Sequence, residues 1–149
     1  MSQSQPNAKA ILIVDDIPLM RTMLSRYVKT IASKILKEEF DIPYVEIFEA
    51  ENGLIALDTV RSRPIDLIFL DLMMPQMDGL TFLERIRESS ELPEIPVVVC
   101  SALGEKETIA RALNLGAKAY IVKPFTMKSV EKSVRDTLGK AIAAARAVS

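Results

Sequence analysis

The chain contains no histidine and a single cysteine, Cys100, in 149 residues. Those two shortages exclude zinc sites built from His and Cys, and catalytic triads that need an imidazole base. A lone cysteine cannot close an internal disulfide and fits a reducing compartment. Neither charge dominates: 19 basic side chains stand against 20 acidic ones, which leaves no electrostatic footprint for nucleic acid. No apolar run reaches membrane-spanning length. The first ten residues are polar and lack a signal-peptide core, so a cytoplasmic location is expected. The chemistry left to this chain must use carboxylates, hydroxyls and lysine.

What is present is the composition of one ordinary soluble domain, 49% hydrophobic and 26% charged. Its most informative stretch is residues 65–79. An apolar run, Ile65 to Leu70, reads as a strand covered on both faces and stops at a carboxylate, Asp71. Pro75 and the pair Asp78-Gly79 then force a tight loop. From Leu80 the period turns helical, with Leu80, Leu83 and Ile86 on one side and Glu84, Arg85, Arg87 and Glu88 elsewhere.

The remaining elements follow the same punctuation. Residues 1–8 read as a disordered polar lead, residues 9–145 as one domain, and residues 146–149 as a frayed end. Strands are expected at 10–14, 44–48 (an edge strand), 65–70, 95–100 and 118–122. Helices are expected at 18–40, 54–61, 80–89, 105–115 and from Thr126 to about 145. Pro18 suits a first helical turn, Gly116 a left-handed helix end and Thr126 an N-cap. Met20, Met23 and Met127 are expected to fill gaps in the core. Five strands alternating with five helices predict a three-layer α/β/α fold with a parallel sheet and right-handed crossovers.

Just past the strands stand Asp15 and Asp16, then Asp71, then Ser101, then Lys123. In a parallel sheet the carboxyl ends share one rim, so these side chains converge. Clustered carboxylates repel one another unless a cation sits among them, and an oxygen-only donor set suits magnesium. A lysine and a hydroxyl facing the same point add donors for an anion. The combination points to phosphoryl transfer with a carboxylate nucleophile.

With Met74-Pro75 and Asp78-Gly79 behind Asp71, Ser101-Ala102, and Lys123-Pro124, this constellation resembles the receiver domain of two-component response regulators, over residues 9–140. The resemblance implies a flavodoxin-like sheet in the order 2-1-3-4-5. It implies that Asp71 is the phosphoacceptor, charged from a sensor histidine kinase or a phosphotransfer protein. Asp16 and Asp71 would hold Mg2+ with the backbone carbonyl of Met73, and Asp15 would act mainly through water. Lys123 would pair with the phosphoryl group, Ser101 would move to bond it, and Tyr120 would swing inward as the second half of the switch. A cis Lys123-Pro124 bond is expected, and the small Ala102 would leave the site open. The target would be another protein, met by the surface of the fourth helix, fifth strand and fifth helix, containing Lys106, Ile109, Tyr120, Phe125 and Met127. The regulator would act alone, as a monomer or a phosphorylation-dependent dimer, away from membranes and nucleic acid.

Two departures from the family pattern stand out. The first helix carries roughly ten extra residues and would span about 35 Å, well beyond a six-residue strand of about 20 Å. Its far end, Ile31 to Phe40, must cover something or project. Met73 and Leu103, two residues past Asp71 and Ser101, are apolar where rapidly dephosphorylating relatives often carry polar groups. Neither can orient a water, which predicts a long-lived phosphorylated state. Two other readings compete. A phosphorylation-independent scaffold would keep the fold without the chemistry. A haloacid-dehalogenase-type phosphatase would need a second acid where Met73 stands.

Overall fold

The computed structural model describes residues 7–102 and 105–148. Its strands are β1 (Ala8–Val14), β2 (Tyr44–Ala50), β3 (Leu67–Asp71), β4 (Val97–Ser101) and β5 (Ala119–Val122). Between them run α1 (Pro18–Phe40), α2 (Gly53–Ser62), α3 (Gly79–Glu88) and α4 (Lys106–Asn114). The fifth helical rod is α5 (Met127–Val134), a π-helical turn (Arg135–Gly139) and α6 (Lys140–Ala147). All five strands are parallel and lie in the order β2-β1-β3-β4-β5, with β2 at an edge as expected.

The side-chain period of a strand sorts the core into two layers. Ile11, Ile13, Leu67, Phe69, Val98 and Cys100 point to the layer that holds Leu24, Val28, Val130 and Val134 of α1 and α5. Leu12, Val14, Ile68, Leu70, Val97 and Val99 point to the opposite layer, with Leu57, Phe82, Leu83 and Ala112 of α2, α3 and α4. Every residue of β3 and β4 is buried, which explains their unbroken apolar runs. Register pairs Val14 with Leu70, Asp71 with Cys100, and Ser101 with Val122, so the carboxyl ends of the central strands stay level.

Most boundaries move by one or two residues from the expected ones. Asp71 and Ser101 are the last residues of their strands rather than the first beyond them. β1 starts at Ala8, which pairs with Tyr44 and so belongs to the sheet instead of the polar lead. Residues 1–6 of that lead lie outside the described residues, as does Leu103. Asn52 caps α2, its side chain accepting from the Ile55 amide. Thr126 and Ser129 form a capping box at the start of α5.

Gly79 also differs from its reading as a turn former. The left-handed residue of the β3–α3 loop is Gln76, at φ 63°. Gly79 is the first residue of α3, and a Cβ there would lie 2.5 Å from the carbonyl oxygen of Asp71. The glycine is needed for close approach behind the acid. Gly116, at φ 94°, does take the left-handed conformation expected after α4. Beside it, Arg87 donates to the carbonyls of Ile95, Leu115 and Gly116, tying the end of α3 to the entry of β4 and the turn before β5.

The long first helix covers the carboxyl-terminal rod. Ile31, Ala32, Ile35 and Leu36 are buried in the same layer as Leu138 and Ile142. Glu39 pairs with Arg135, and Arg146 donates to the carbonyl of Phe40 at 2.6 Å while its guanidinium lies 5.6 Å from that ring's centre. The end expected to fray is therefore helical to Ala147 and fastened at Arg146. Two buried hydroxyls return to the rod's own backbone, Ser133 to Val130 O and Thr137 to Ser133 O. Such back-bonding accompanies helix bending, and here it borders the π-helical turn facing Phe40.

Candidate functional site

The site is assembled at the carboxyl ends of β1, β3, β4 and β5. Asp15, Asp71 and Ser101 are buried, at 1%, 3% and 1% exposure, while Asp16 is partly buried. Asp15, Asp16 and Asp71 each offer a carboxylate oxygen, and these oxygens all lie within 4.8 Å of one another. Lys123 extends from the end of β5 until its Nζ is 3.2 Å from Asp71 Oδ2 and 3.4 Å from Asp15 Oδ2. The peptide bond that follows it, to Pro124, is cis as expected.

Local backbone aims these acids. Asp71 Oδ1 accepts from the Met73 amide at 3.1 Å, and Asp15 Oδ1 accepts from the Ile17 amide at 2.9 Å. Each carboxylate thus turns one oxygen to its own loop and the other to the centre. Burial pushes the Asp71 carboxyl up to about 6, against the pull of Lys123 and the Met73 amide. Asp15 adds to the upward push. Burial alone would lower the Lys123 ammonium, but Asp71 and Asp15 outweigh it and the group is raised.

Among the described residues, the buried Asp16 Oδ1 has no hydrogen-bond partner, and Asp15 Oδ2 has only the Lys123 ammonium at 3.4 Å. Buried polar atoms are nearly always satisfied, so the spare Asp16 oxygen leaves acceptor capacity beside the acidic cluster. It belongs to one of three acids that bring carboxylate oxygens within 4.8 Å of one another, and an all-oxygen donor set of this charge fits a hard divalent cation such as Mg2+.

The other expected residues are placed as follows. Ser101 Oγ donates to the neighbouring Ala102 carbonyl at 3.1 Å, and Ala102 is exposed. Tyr120 is 52% exposed and Met73 60% exposed. On the surface formed by α4, β5 and α5, Lys106, Leu113, Tyr120 and Met127 are exposed, whereas Phe125 is buried and Ile109 packs against the core. Met127 and Met23 are therefore surface residues rather than gap fillers; Met20 does pack against the core. Cys100 is buried, and burial together with the charge of Asp71 pushes its thiol up, which leaves it unreactive.

Sequence reasoning missed Arg21. Its guanidinium donates to the Asp15 carbonyl at 2.7 Å and to Glu49 at 3.0 Å. The available signal was an arginine one turn into a helix that starts directly after two acids.

A buried aspartate facing a lysine and an acidic pocket at the rim of an open parallel sheet defines a class: an aspartate-centred phosphoacceptor domain. The family model described as "Response regulator receiver domain" matches residues 11–135. The chain belongs to that family. It is 36% identical to the chemotaxis protein CheY of Bacillus subtilis over 131 residues, covering 88% of this chain and 98% of that protein. It is 35% identical to CheY of Halobacterium salinarum, with the same coverage. Chemotaxis protein CheY4 of Vibrio cholerae superimposes with a TM-score of 0.72 at 26% identity, over 88% of this chain and 99% of that one. Among the described residues, no helix is long and apolar enough to cross a membrane.

Proposed function

We propose that this receiver is a single-domain phosphorylation switch in which Asp71 accepts a phosphoryl group from the phosphohistidine of a sensor kinase or phosphotransfer protein. The observation that carries the reading is the burial of Asp71 between Lys123 and the pair Asp15-Asp16. The match to nearly the full length of a chemotaxis protein supports a regulator. In this reading it works through protein contact in the cytoplasm. It works as a monomer or as a dimer formed on phosphorylation.

In the transfer, a carboxylate oxygen of Asp71 attacks phosphorus as the bond from phosphorus to the imidazole nitrogen breaks. The electron pair leaves with the imidazole, and an acyl phosphate forms on Asp71. The Met73 amide holds the other oxygen of Asp71 so that the attacking one is oriented. Lys123 stands where negative charge gathers on the phosphoryl oxygens and offsets it. Asp16, Asp71 and the Met73 carbonyl would hold Mg2+, with Asp15 acting mainly through water; bound there, the cation supplies charge neutralisation for the phosphoryl oxygens.

The acyl phosphate is then read out by two residues. Ser101 exchanges its bond to the Ala102 carbonyl for one to the phosphoryl group, and Tyr120 turns inward from its exposed position. The surface of Lys106, Leu113, Tyr120 and Met127 changes with it and is the one the target protein meets. The apolar, exposed Met73 two residues past Asp71 supports slow loss of the phosphoryl group, because its side chain cannot orient an attacking water.

Intact mass after incubation with Mg2+ and acetyl phosphate tests the proposal. One added phosphoryl group is expected, absent from Asp71→Asn and from the magnesium-free control. Failure of both acetyl phosphate and a phosphorylated kinase to label the protein would leave the phosphorylation-independent scaffold as the reading.

A further inference from the structure

Asp15 has four polar atoms, and three of them are fixed. Its amide donates to the Ala50 carbonyl at 3.1 Å, its carbonyl accepts from Arg21 at 2.7 Å, and its Oδ1 accepts from the Ile17 amide at 2.9 Å. Only Oδ2 remains, facing Lys123. Asp16 follows through the same peptide unit, and among the described residues its buried Oδ1 has no partner to aim it. The direction in which Asp16 leaves the backbone is therefore set by the plane of the Asp15–Asp16 peptide. The guanidinium of Arg21 is the side chain that grips that plane.

Arg21 is itself held on both sides. Its amide donates to the Ile17 carbonyl at 2.9 Å, closing the first turn of α1. Its Nε donates to Glu49 near the end of β2 at 3.0 Å. The planar fork of arginine can span a carbonyl and a carboxylate at once, which a lysine ammonium does with less geometric control. Because Glu49 offsets its charge, the contribution of Arg21 is orientation rather than a second positive charge at the pocket.

We infer that Arg21 is a positioning residue for the divalent-cation site. It clamps the Asp15–Asp16 peptide so that both carboxylates stay aimed at the pocket before the cation arrives. The inference rests on the cation-dependent phosphoacceptor reading above and adds a residue to it.

The test is Mg2+ affinity by titration calorimetry on the full chain, for the parent protein, Arg21→Met, Arg21→Lys and Glu49→Ala, with each metal-free melting temperature measured in EDTA. Residues that orient metal ligands through a hydrogen bond change affinity by roughly 10- to 100-fold, so Arg21→Met is expected to raise the Mg2+ Kd by at least about tenfold. Arg21→Lys should recover part of the affinity, and Glu49→Ala should weaken binding in the same direction by less. An Arg21→Met protein with a lowered melting temperature and a parental Mg2+ Kd would overturn the inference and leave Arg21 a structural residue. Should Arg21→Met fail to fold, Glu49→Ala decides the matter, and an unchanged Kd there overturns the inference. A parent protein that binds no Mg2+ would instead remove the cation-dependent reading itself.

Discussion

The ammonium of Lys123 lies 3.2 Å from Asp71 Oδ2, although 52 residues and two strands separate the two in the chain (123 − 71). It also reaches Asp15 Oδ2 at 3.4 Å, so one cation bridges two buried acids. Each carboxylate would raise the other's affinity for a proton if the lysine were absent. Lys123→Ala is therefore expected to slow labelling by acetyl phosphate by roughly 100-fold or more, the usual effect of removing a donor aimed at developing charge. Timed intact mass at saturating Mg2+ measures it. A rate close to the parent's would mean that Lys123 serves the fold and not the transfer.

The raised Asp71 carboxyl makes a prediction about stability in metal-free buffer. An acid whose folded pKa lies above its unfolded value of 3.8, here at about 6, favours the folded state most when it is neutral in both states. That contribution is complete below 3.8 and is lost as the pH rises through about 6. In EDTA, Asp71→Asn should thus exceed the parent in stability at pH 8 by on the order of 2 kcal/mol. The gap should close toward pH 4, and Mg2+ should narrow it at pH 8. Urea unfolding at the two pH values gives the comparison; a gap that does not depend on pH would show that ionisation of Asp71 is not opposed by its burial.

Met73 stands two residues past Asp71, 60% exposed, and its side chain carries no group able to orient a water. Replacing it with Asn or Glu should shorten the lifetime of the phosphorylated state, by about tenfold as a low estimate for an added water-orienting group. The parent should lose its phosphoryl group slowly. Decay of the phosphorylated mass after removal of acetyl phosphate measures both, and equal decay in parent and variants would mean that access to Asp71 is limited elsewhere.

Phe40 ends α1 against the π-helical turn, under the guanidinium of Arg146 and next to Gly139. Truncating a partly buried phenylalanine costs about 1–3 kcal/mol, below the range for a fully buried ring. Phe40→Ala should therefore lower the urea midpoint while leaving labelling at Asp71 unaltered, since the last turn of α1 lies at the helix end opposite the acids. A large loss of labelling in a folded variant would reveal coupling between the two ends of the helix.

The sequence by itself determined the alternation of strands and helices, the layering of the core and the residues gathered at the rim. Those features rest on local rules: a parallel sheet puts the ends of its strands on one side, so Asp15, Asp71, Ser101 and Lys123 converge whatever the details. Caps such as Thr126 and the left-handed Gly116 are local as well. The tertiary structure decided what depends on residues far apart in the chain. The pairing of Glu39 with Arg135 and the bond from Arg146 to Phe40 span 96 and 106 residues, so no periodicity could say that the long helix lies on the rod instead of projecting. Close approach of chains distant in sequence also made Gly79 a matter of space behind Asp71 rather than of turn geometry. The same holds for Arg21, whose meaning comes from a carbonyl just past β1 and a carboxylate on β2. Periodicity records which face of an element is buried; only packing records what lies against it.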